Sequence, residues 1–318
     1  MTRVWITRPL PGAVLDAAHD LGADVTVRAE TGPLSDAELR VALTEYDMVL
    51  PTLGDVFSAQ VFVDVGVPRC RLLANFGVGY NHIDVEAART AGVAVTNTPG
   101  AVTDATADIA MMLMLMSARR AGEGERMVRA GQWPGWHPTQ MLGLHMSGKR
   151  VGIVGLGRIG QAIARRCHFG FGMAVSYVSR SDKDVPFDVE RAPDLKALAA
   201  AVDFLVVAVP GGADTRHMIG AQVFDAMPPH AHLINIARGD VVDEAALVDA
   251  LRGGRIGGAG LDVYEFEPRV PEALLGLENV TLLPHLGTAA LEVRTDMGRM
   301  AVANIAAFLK GDPLPNPV

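Results

Sequence analysis

The sequence predicts an α/β protein built from two doubly wound, parallel-sheet domains. Three observations carry that reading. Short apolar runs alternate with helix-like stretches along all 318 residues, the pattern of strand–helix–strand units. Most runs are apolar throughout rather than alternating, which marks strands covered by helices on both faces. The length corresponds to about two domains.

Taken in order, the first part predicts strands over residues 4–7, 24–27, 48–50, 71–75 and 93–97. Thr98-Pro99-Gly100 is a turn signal just past the last of these and marks the domain boundary. A helix follows. Thr103 or Asp104 can cap its start, and 107–119 contains no Gly or Pro. Its segment 111–116 is Met-Met-Leu-Met-Leu-Met, apolar on every side, as in a helix buried all round. Either it is a core helix, or one side packs on its own domain and the other on a second subunit. The second part predicts strands over 150–154, 174–178, 204–209, 232–236, 258–263 and 280–283. Residues 287–309 read as another long helix, with Val293, Met297, Ala301, Ile305 and Phe308 among its packing positions. If it returns to the first domain, that domain is discontinuous, 1–100 plus 287–318, around a second domain over 101–286. No repeat or low-complexity segment interrupts the pattern.

Composition excludes several classes. The apolar fraction of 49% supports large cores. A net charge of −8 without a long basic run argues against nucleic-acid binding. The two cysteines, Cys70 and Cys167, form no CxxC pair or Cys/His cluster, so neither a disulfide framework nor a metal site is expected. The N-terminus reads as a short strand ending near Pro9 rather than a signal peptide, and the most apolar segment, 109–116, is too short to span a bilayer. A soluble, cytoplasmic protein without membrane partners is expected.

Gly155-Leu156-Gly157-Arg158-Ile159-Gly160 is a GxGxxG loop. Alone such a loop is weak evidence, but here a strand precedes it and a helix follows. The first glycine permits the turn, the second lets backbone approach a pyrophosphate, and the third packs helix on strand. The helix N-terminus supplies free N–H groups and a positive dipole end. An NAD site places an acid about 20 residues further on, for the ribose 2′-hydroxyl. Here Ser179, Arg180 and Ser181 occupy that place, with Lys183 close by. A carboxylate there repels a 2′-phosphate, whereas Arg and hydroxyls accept one, so NADPH is expected to be preferred, with NADH possible. The alternative is that Arg180 is a solvated strand-end charge.

Arg238, Glu267 and His285 each sit just beyond an apolar run, downstream of that loop. An imidazole at a strand end can give a proton to a carbonyl oxygen. A carboxylate beside it favours the imidazolium and selects the ring nitrogen that faces substrate. Glu267 and Glu265 are both candidates for that carboxylate, and the physics of the residues alone prefers neither. Arg238 can grip a carboxylate with two parallel N–H donors, or can simply pair with Asp240 or Asp243. The other histidines, His19, His82, His137, His145, His168, His217, His230 and His232, read mostly as surface or local hydrogen-bonding residues.

In this order the residues resemble the D-isomer-specific 2-hydroxyacid dehydrogenases. Asn75-Phe76-Gly77-Val78-Gly79-Tyr80-Asn81-His82-Ile83-Asp84, Thr96-Asn97-Thr98-Pro99-Gly100, the glycine loop, Asn235-Ile236-Ala237-Arg238-Gly239, Leu261 to Pro268 and Pro284-His285-Leu286-Gly287 are similar to that family's signatures. The resemblance implies a flavodoxin-like substrate domain and a Rossmann cofactor domain that close over a small 2-keto acid and the dinucleotide. It implies that Arg238 binds the substrate carboxylate and carbonyl, that His285 is the acid/base, and that Glu267, directly before Pro268, is its partner. Backbone N–H groups of Val78 and Gly79 would meet the carboxylate, and Leu53 and Gly54 would line the substrate pocket. For the cofactor it points to Thr106, Gly155, Leu156, Gly157, Arg158, Ile159, Gly160, Ser179, Arg180, Ser181, Val209, Pro210, Thr215, Ile236, Ala237, Arg238, Asp262, His285 and Gly287, with Asp262 orienting the nicotinamide amide. Within the family, Ser179-Arg180-Ser181 looks like NADP-using glyoxylate and hydroxypyruvate reductases. Trp136 is similar to a residue that reaches the neighbouring subunit's site in those reductases; otherwise it is buried locally under its loop. A homodimer built around the helix near 107–119 is also implied. Formate dehydrogenases share the fold but carry Gln where Glu267 stands, and dinucleotide-sensing co-repressors share it without depending on turnover.

Overall fold

The computed structural model describes all residues, 1–318, as two compact units: Met1–Val102 with Ala289–Val318, and Thr103–Thr288.

The first unit holds five strands, β1 (Arg3–Ile6), β2 (Asp24–Val27), β3 (Met48–Leu50), β4 (Leu72–Ala74) and β5 (Ala94–Thr96). They form one parallel sheet in the order β2-β1-β3-β4-β5, a flavodoxin-like winding. Successive side chains enter opposite cores. Val4, Ile6, Met48, Leu50, Leu72 and Ala74 pack on one face; Trp5, Val49 and Leu73 pack on the other. That two-sided burial is why these strands are apolar without alternation. The final helix, Leu291–Lys310, lays Ala301, Val302 and Ile305 into the first of these cores. It starts four residues later than its apolar pattern suggests, because 287–290 is a turn and an extended lead-in. Helix Asp36–Glu45 opens on a capping box between Ser35 and Glu38.

The second unit contributes β6 (Arg150–Val154), β7 (Ala174–Val178), β8 (Glu190–Arg191), β9 (Phe204–Val207), β10 (His232–Asn235), β11 (Gly258–Leu261) and β12 (Val280–Leu282). The seven lie parallel in the order β12-β11-β10-β9-β6-β7-β8. Chain order reverses direction between β6 and β9, the switch point of a Rossmann sheet. Phe204 and Val206 face one core and Leu205 and Val207 the other. Strand β8 has no apolar signal, since both its residues are exposed polar edge positions.

Helix Thr103–Ala118 departs from expectation in two ways. It begins at Thr103, so Thr103 and Asp104 lie inside its first turn rather than before it. It is also not buried all round. Ala110, Met111, Leu113 and Met114 are buried, but Leu115 is 37% exposed, and Met112 and Met116 flank it half-buried. No helix of the protein is long and apolar enough to cross a membrane.

Candidate active site

All strands of the second unit run parallel, so the loops after β6, β7, β9, β10, β11 and β12 emerge at one edge of the sheet. Ligands of open α/β sheets bind outside that edge.

After β6 comes the glycine loop. Gly155 has φ +95°, and a Cβ there would lie 2.7 Å from Val209 and 2.8 Å from the Ala208 carbonyl oxygen. At Gly160 a Cβ would lie 2.1 Å from the Gly155 oxygen, whereas Gly157 faces open space. The loop thus combines a left-handed turn, an open approach and a close helix–strand contact. Gly157 caps helix Arg158–Arg165 with no side chain, which leaves the first-turn amides available to an anion. These features fit a dinucleotide pyrophosphate.

A cavity of about 540 Å³ lies beside this loop's strand. It is lined by Ser179 and Arg180 after β7 and by Val209, Pro210 and Thr215 after β9, together with Arg191, Leu195 and Met218. The Thr215 hydroxyl donates to Pro210 O at 2.8 Å and stiffens the wall. Arg180 is exposed. Ser181 does not line the cavity; its hydroxyl accepts from Lys183 Nζ at 2.9 Å. No carboxylate stands in the Ser179-Arg180-Ser181 segment.

The loops after β10, β11 and β12 carry Arg238, Glu267 and His285. His285 Nδ1 lies 2.8 Å from Glu267 Oε2. A carboxylate only accepts, so Nδ1 carries the proton and Nε2 is left to exchange one. The second oxygen of Glu267 accepts the Tyr264 amide at 3.0 Å. Burial alone would raise the Glu267 carboxyl. The hydrogen bond and charge of His285, the Tyr264 amide and the Arg238 guanidinium outweigh it and hold the carboxyl below its ordinary value. Glu265 is neither the partner of His285 nor solvated. Its side chain is 9% exposed and accepts from Arg216 and His217.

Arg238 forms no ion pair with Asp240 or Asp243. Its one side-chain bond runs from Nη1 to Ala237 O at 2.7 Å, and Asp243 is occupied as the cap of helix Glu244–Arg252. Burial lowers the guanidinium's proton affinity from its ordinary value, against the opposing charges of Glu267 and Asp240, yet an arginine stays charged. Ile236 and Ala237, both buried, precede it. Asn235, which sequence reasoning did not single out, shapes this turn: its side chain accepts the Ala237 amide at 3.0 Å and donates to Arg238 O at 3.0 Å.

His285 sits at φ +55°, a left-handed conformation for a residue with a side chain, and such strain costs of order 1–3 kcal/mol. Asp262 maintains it. Its carbonyl accepts the His285 amide at 2.9 Å. Its two carboxylate oxygens accept the Leu286 and Gly287 amides at 2.6 and 2.8 Å. Burial raises the Asp262 carboxyl despite these bonds. Thr106 secures the same loop, donating to Gly287 O at 3.2 Å. Tyr264, also missed, ties the two loops together through its amide and phenol; its only sequence signal was a phenol inside an apolar run. His232 is no surface residue. It is buried, stacked on Phe204 and 2.6 Å from Ser117 Oγ.

Trp136 is 80% exposed and so is not packed under its own loop. No group of three or more His, Cys, Asp or Glu side chains is placed to hold a metal ion.

In the first unit, Leu53 is exposed and Gly54 adopts φ +96°. Arg8 fixes their loop by donating to Thr52 and to the Leu53 carbonyl, and buried Asp55 accepts the Thr52 amide at 2.9 Å. The loop after β4 is pinned through its carbonyls. Asn75 Nδ2 donates to Gly77 O and Gly79 O, and Asn97 Nδ2 to Val78 O. The amides of Val78 and Gly79 make no such bond, which leaves two adjacent donors for an anion.

A parallel Rossmann sheet with a glycine loop, an Arg and a His–Glu pair at one edge defines a dinucleotide-binding unit equipped for proton transfer. Residues 111–287, over half the chain, match the family model described as D-isomer specific 2-hydroxyacid dehydrogenase, NAD binding domain. The chain is 41% identical over 319 residues to glyoxylate reductase of Thermococcus gammatolerans, covering 98% of this chain and 94% of that one. It is 35% identical over 313 residues to glycerate dehydrogenase of Hyphomicrobium methylovorum, covering 97% and 96%. Among solved structures it is similar to the NADPH-dependent glyoxylate/hydroxypyruvate reductase of Sinorhizobium meliloti in complex with NADP and malonate, with TM-score 0.87, 36% identity, and coverage of 100% and 96%. The chain belongs to the D-isomer-specific 2-hydroxyacid dehydrogenase family.

Proposed function

We propose that this protein reduces a small 2-keto acid of the glyoxylate/hydroxypyruvate type to the D-2-hydroxy acid, with NADPH preferred over NADH. The observation that carries the reading is the His285–Glu267 pair, 2.8 Å apart, at the sheet edge that also bears the glycine loop and an Arg238 free of ion pairs. A nicotinamide dinucleotide held by the glycine loop supplies the hydride. Arg238 binds the substrate carboxylate and polarises the adjacent carbonyl. His285 Nε2 gives its proton to the carbonyl oxygen, and Glu267 keeps the opposite nitrogen protonated and the ring aligned. The Val78 and Gly79 amides are further donors for the carboxylate, and Leu53 and Gly54 are proposed to shape specificity for the substrate side group.

NADPH preference is supported by Arg180 at the end of β7, with a neighbouring hydroxyl at Ser179 and no carboxylate within residues 179–181; the carboxylates that line the same cavity, Asp194 and Asp214, come from other segments. A homodimer is supported by exposed Leu115 with half-buried Met112 and Met116 beside it, and by the exposed Trp136, which is proposed to enter the partner's site.

The test is steady-state turnover of glyoxylate, hydroxypyruvate, phenylpyruvate and longer keto acids with each cofactor, alongside formate with NAD. Keto-acid reduction faster with NADPH is expected. Formate oxidation without keto-acid turnover, or cofactor binding with negligible turnover of any substrate, contradicts the reading.

A further inference from the structure

Glu265 lies two residues before Glu267 and takes no part in the pair with His285. Its Oε1 accepts from Arg216 Nη2 at 2.6 Å and from His217 Nε2 at 3.0 Å. The carboxylate is nearly buried while the Arg216 and His217 side chains remain partly exposed. Its main-chain amide donates to Glu244 Oε1 at 2.9 Å. Glu244 begins helix Glu244–Arg252 and is itself buried. Burial raises the Glu244 carboxyl, and the charges of Glu265 and Glu267 add to the rise. The loop bearing Glu267 is therefore held from two sides.

Arg216 and His217 continue directly from Thr215, which closes the wall of the 540 Å³ cavity. The His217 amide donates to Asp240 O at 2.8 Å, two residues past Arg238, and His217 holds a left-handed φ of +50°. One short segment, 210–217, thus forms a cavity wall at its start and grips both the Glu267 and Arg238 loops at its end. We propose that Glu265, acting through Arg216 and His217, is a positioning residue that couples dinucleotide occupancy of this cavity to the geometry of the Glu267–His285 pair. The inference rests on the acid/base reading of that pair. A ligand that orders the wall also orders the carboxylate loop, and by linkage a broken clamp weakens both.

Glu265→Gln keeps the side-chain shape and the amide bond to Glu244 but removes the charge that holds the Arg216 guanidinium and one of the acceptor oxygens available to Arg216 and His217. Arg216→Ala breaks the clamp from its exposed end and leaves Glu265 in place. On the full chain, three quantities are read: NADPH affinity by fluorescence, kcat against KM for the keto acid, and the NMR response of the His285 imidazole to NADP⁺. Both variants are expected to bind NADPH roughly five- to tenfold more weakly, to lose kcat by a similar factor with keto-acid KM little changed, and to show a diminished His285 response. Wild-type affinity and a wild-type His285 response in Arg216→Ala overturn the proposal, whether or not Glu265→Gln folds. Absence of turnover in the wild-type protein strikes the functional reading instead, and the imidazole response still decides the coupling.

Discussion

The phenol of Tyr264 donates to the main-chain oxygen of Leu283 at 3.0 Å, two residues short of His285, while the amide of the same residue donates to Glu267. One tyrosine therefore sets the separation of the His285–Glu267 pair. Tyr264→Phe deletes only the phenol bond and leaves a carbonyl without its partner, which costs about 1–3 kcal/mol. A fall in stability of that size is expected by urea denaturation, with kcat reduced several-fold and NADPH affinity unchanged. Unaltered kcat would show that the pair keeps its geometry without the bond.

Removing the imidazole separates binding from chemistry. His285→Ala is expected to lower kcat by about 10²–10⁴-fold with dinucleotide affinity retained. Wild-type turnover in that variant ends the proton-donor assignment. Glu267→Gln is expected to lower kcat as well, since an amide cannot balance an imidazolium. The Glu267 carboxyl lies below its ordinary 4.5 in the fold. Its contribution to stability is therefore full above pH 4.5 and is lost as pH falls through the depressed value. Urea denaturation midpoints of wild type and Glu267→Gln should converge as pH falls below that value.

At the end of β7, Arg180→Ala is expected to lower kcat/KM with NADPH by about tenfold or more, the loss of one charge-assisted contact, and to leave NADH almost unaffected. Equal losses with the two cofactors would reduce Arg180 to a general adenine-side contact. A wild-type enzyme as efficient with NADH as with NADPH removes the preference altogether.

Gly160→Ala places a methyl 2.1 Å from the Gly155 carbonyl oxygen, and backbone on both sides must move. Overpacking of this kind costs typically about 1–3 kcal/mol. Dinucleotide affinity is expected to drop by at least tenfold, measured by calorimetry. Native affinity in this variant would mean that the loop is not the cradle.

His232 supplies a pH dependence unrelated to the site. Burial, with the charge of His230 adding, pushes its imidazole from 6.5 down to about 4. The unfolded chain takes up this proton first. Stability is thus undiminished above pH 6.5, declines as pH falls from 6.5 toward 4, and loses nothing further from this group below that. Guanidinium titrations at pH 7.5 and 4.5 should show the loss, on the order of a few kcal/mol, and His232→Asn should flatten it.

Much of the fold was legible because two-sided burial leaves continuous apolar runs. β2, β3, β6 and β7 begin and end where those runs do, whereas β8 went unseen because an exposed edge strand needs no apolar residues. The Met-rich segment of helix Thr103–Ala118 was misleading for a related reason. An apolar side chain reports a preference for burial, and Leu115 shows that nothing within the chain obliges it to be met.

The linear chain determined that two parallel sheets form, and where a glycine loop enters a helix, because hydrophobic periodicity and the steric freedom of glycine act over a few neighbouring residues. Which carboxylate serves His285 was pointed to by the family resemblance, but the physics of the residues left it open, and only tertiary structure supplies the reason. Glu265 and Glu267 have the same chemistry two positions apart, and the turn after β11 directs one toward Arg216 and His217 and the other toward the imidazole. The bonds that enforce this choice run from the backbone amides of Tyr264, Leu286 and Gly287 to the carboxylates of Glu267 and Asp262; every residue but proline possesses such an amide, so no residue type announces the donor, and only the folded path of the chain selects it.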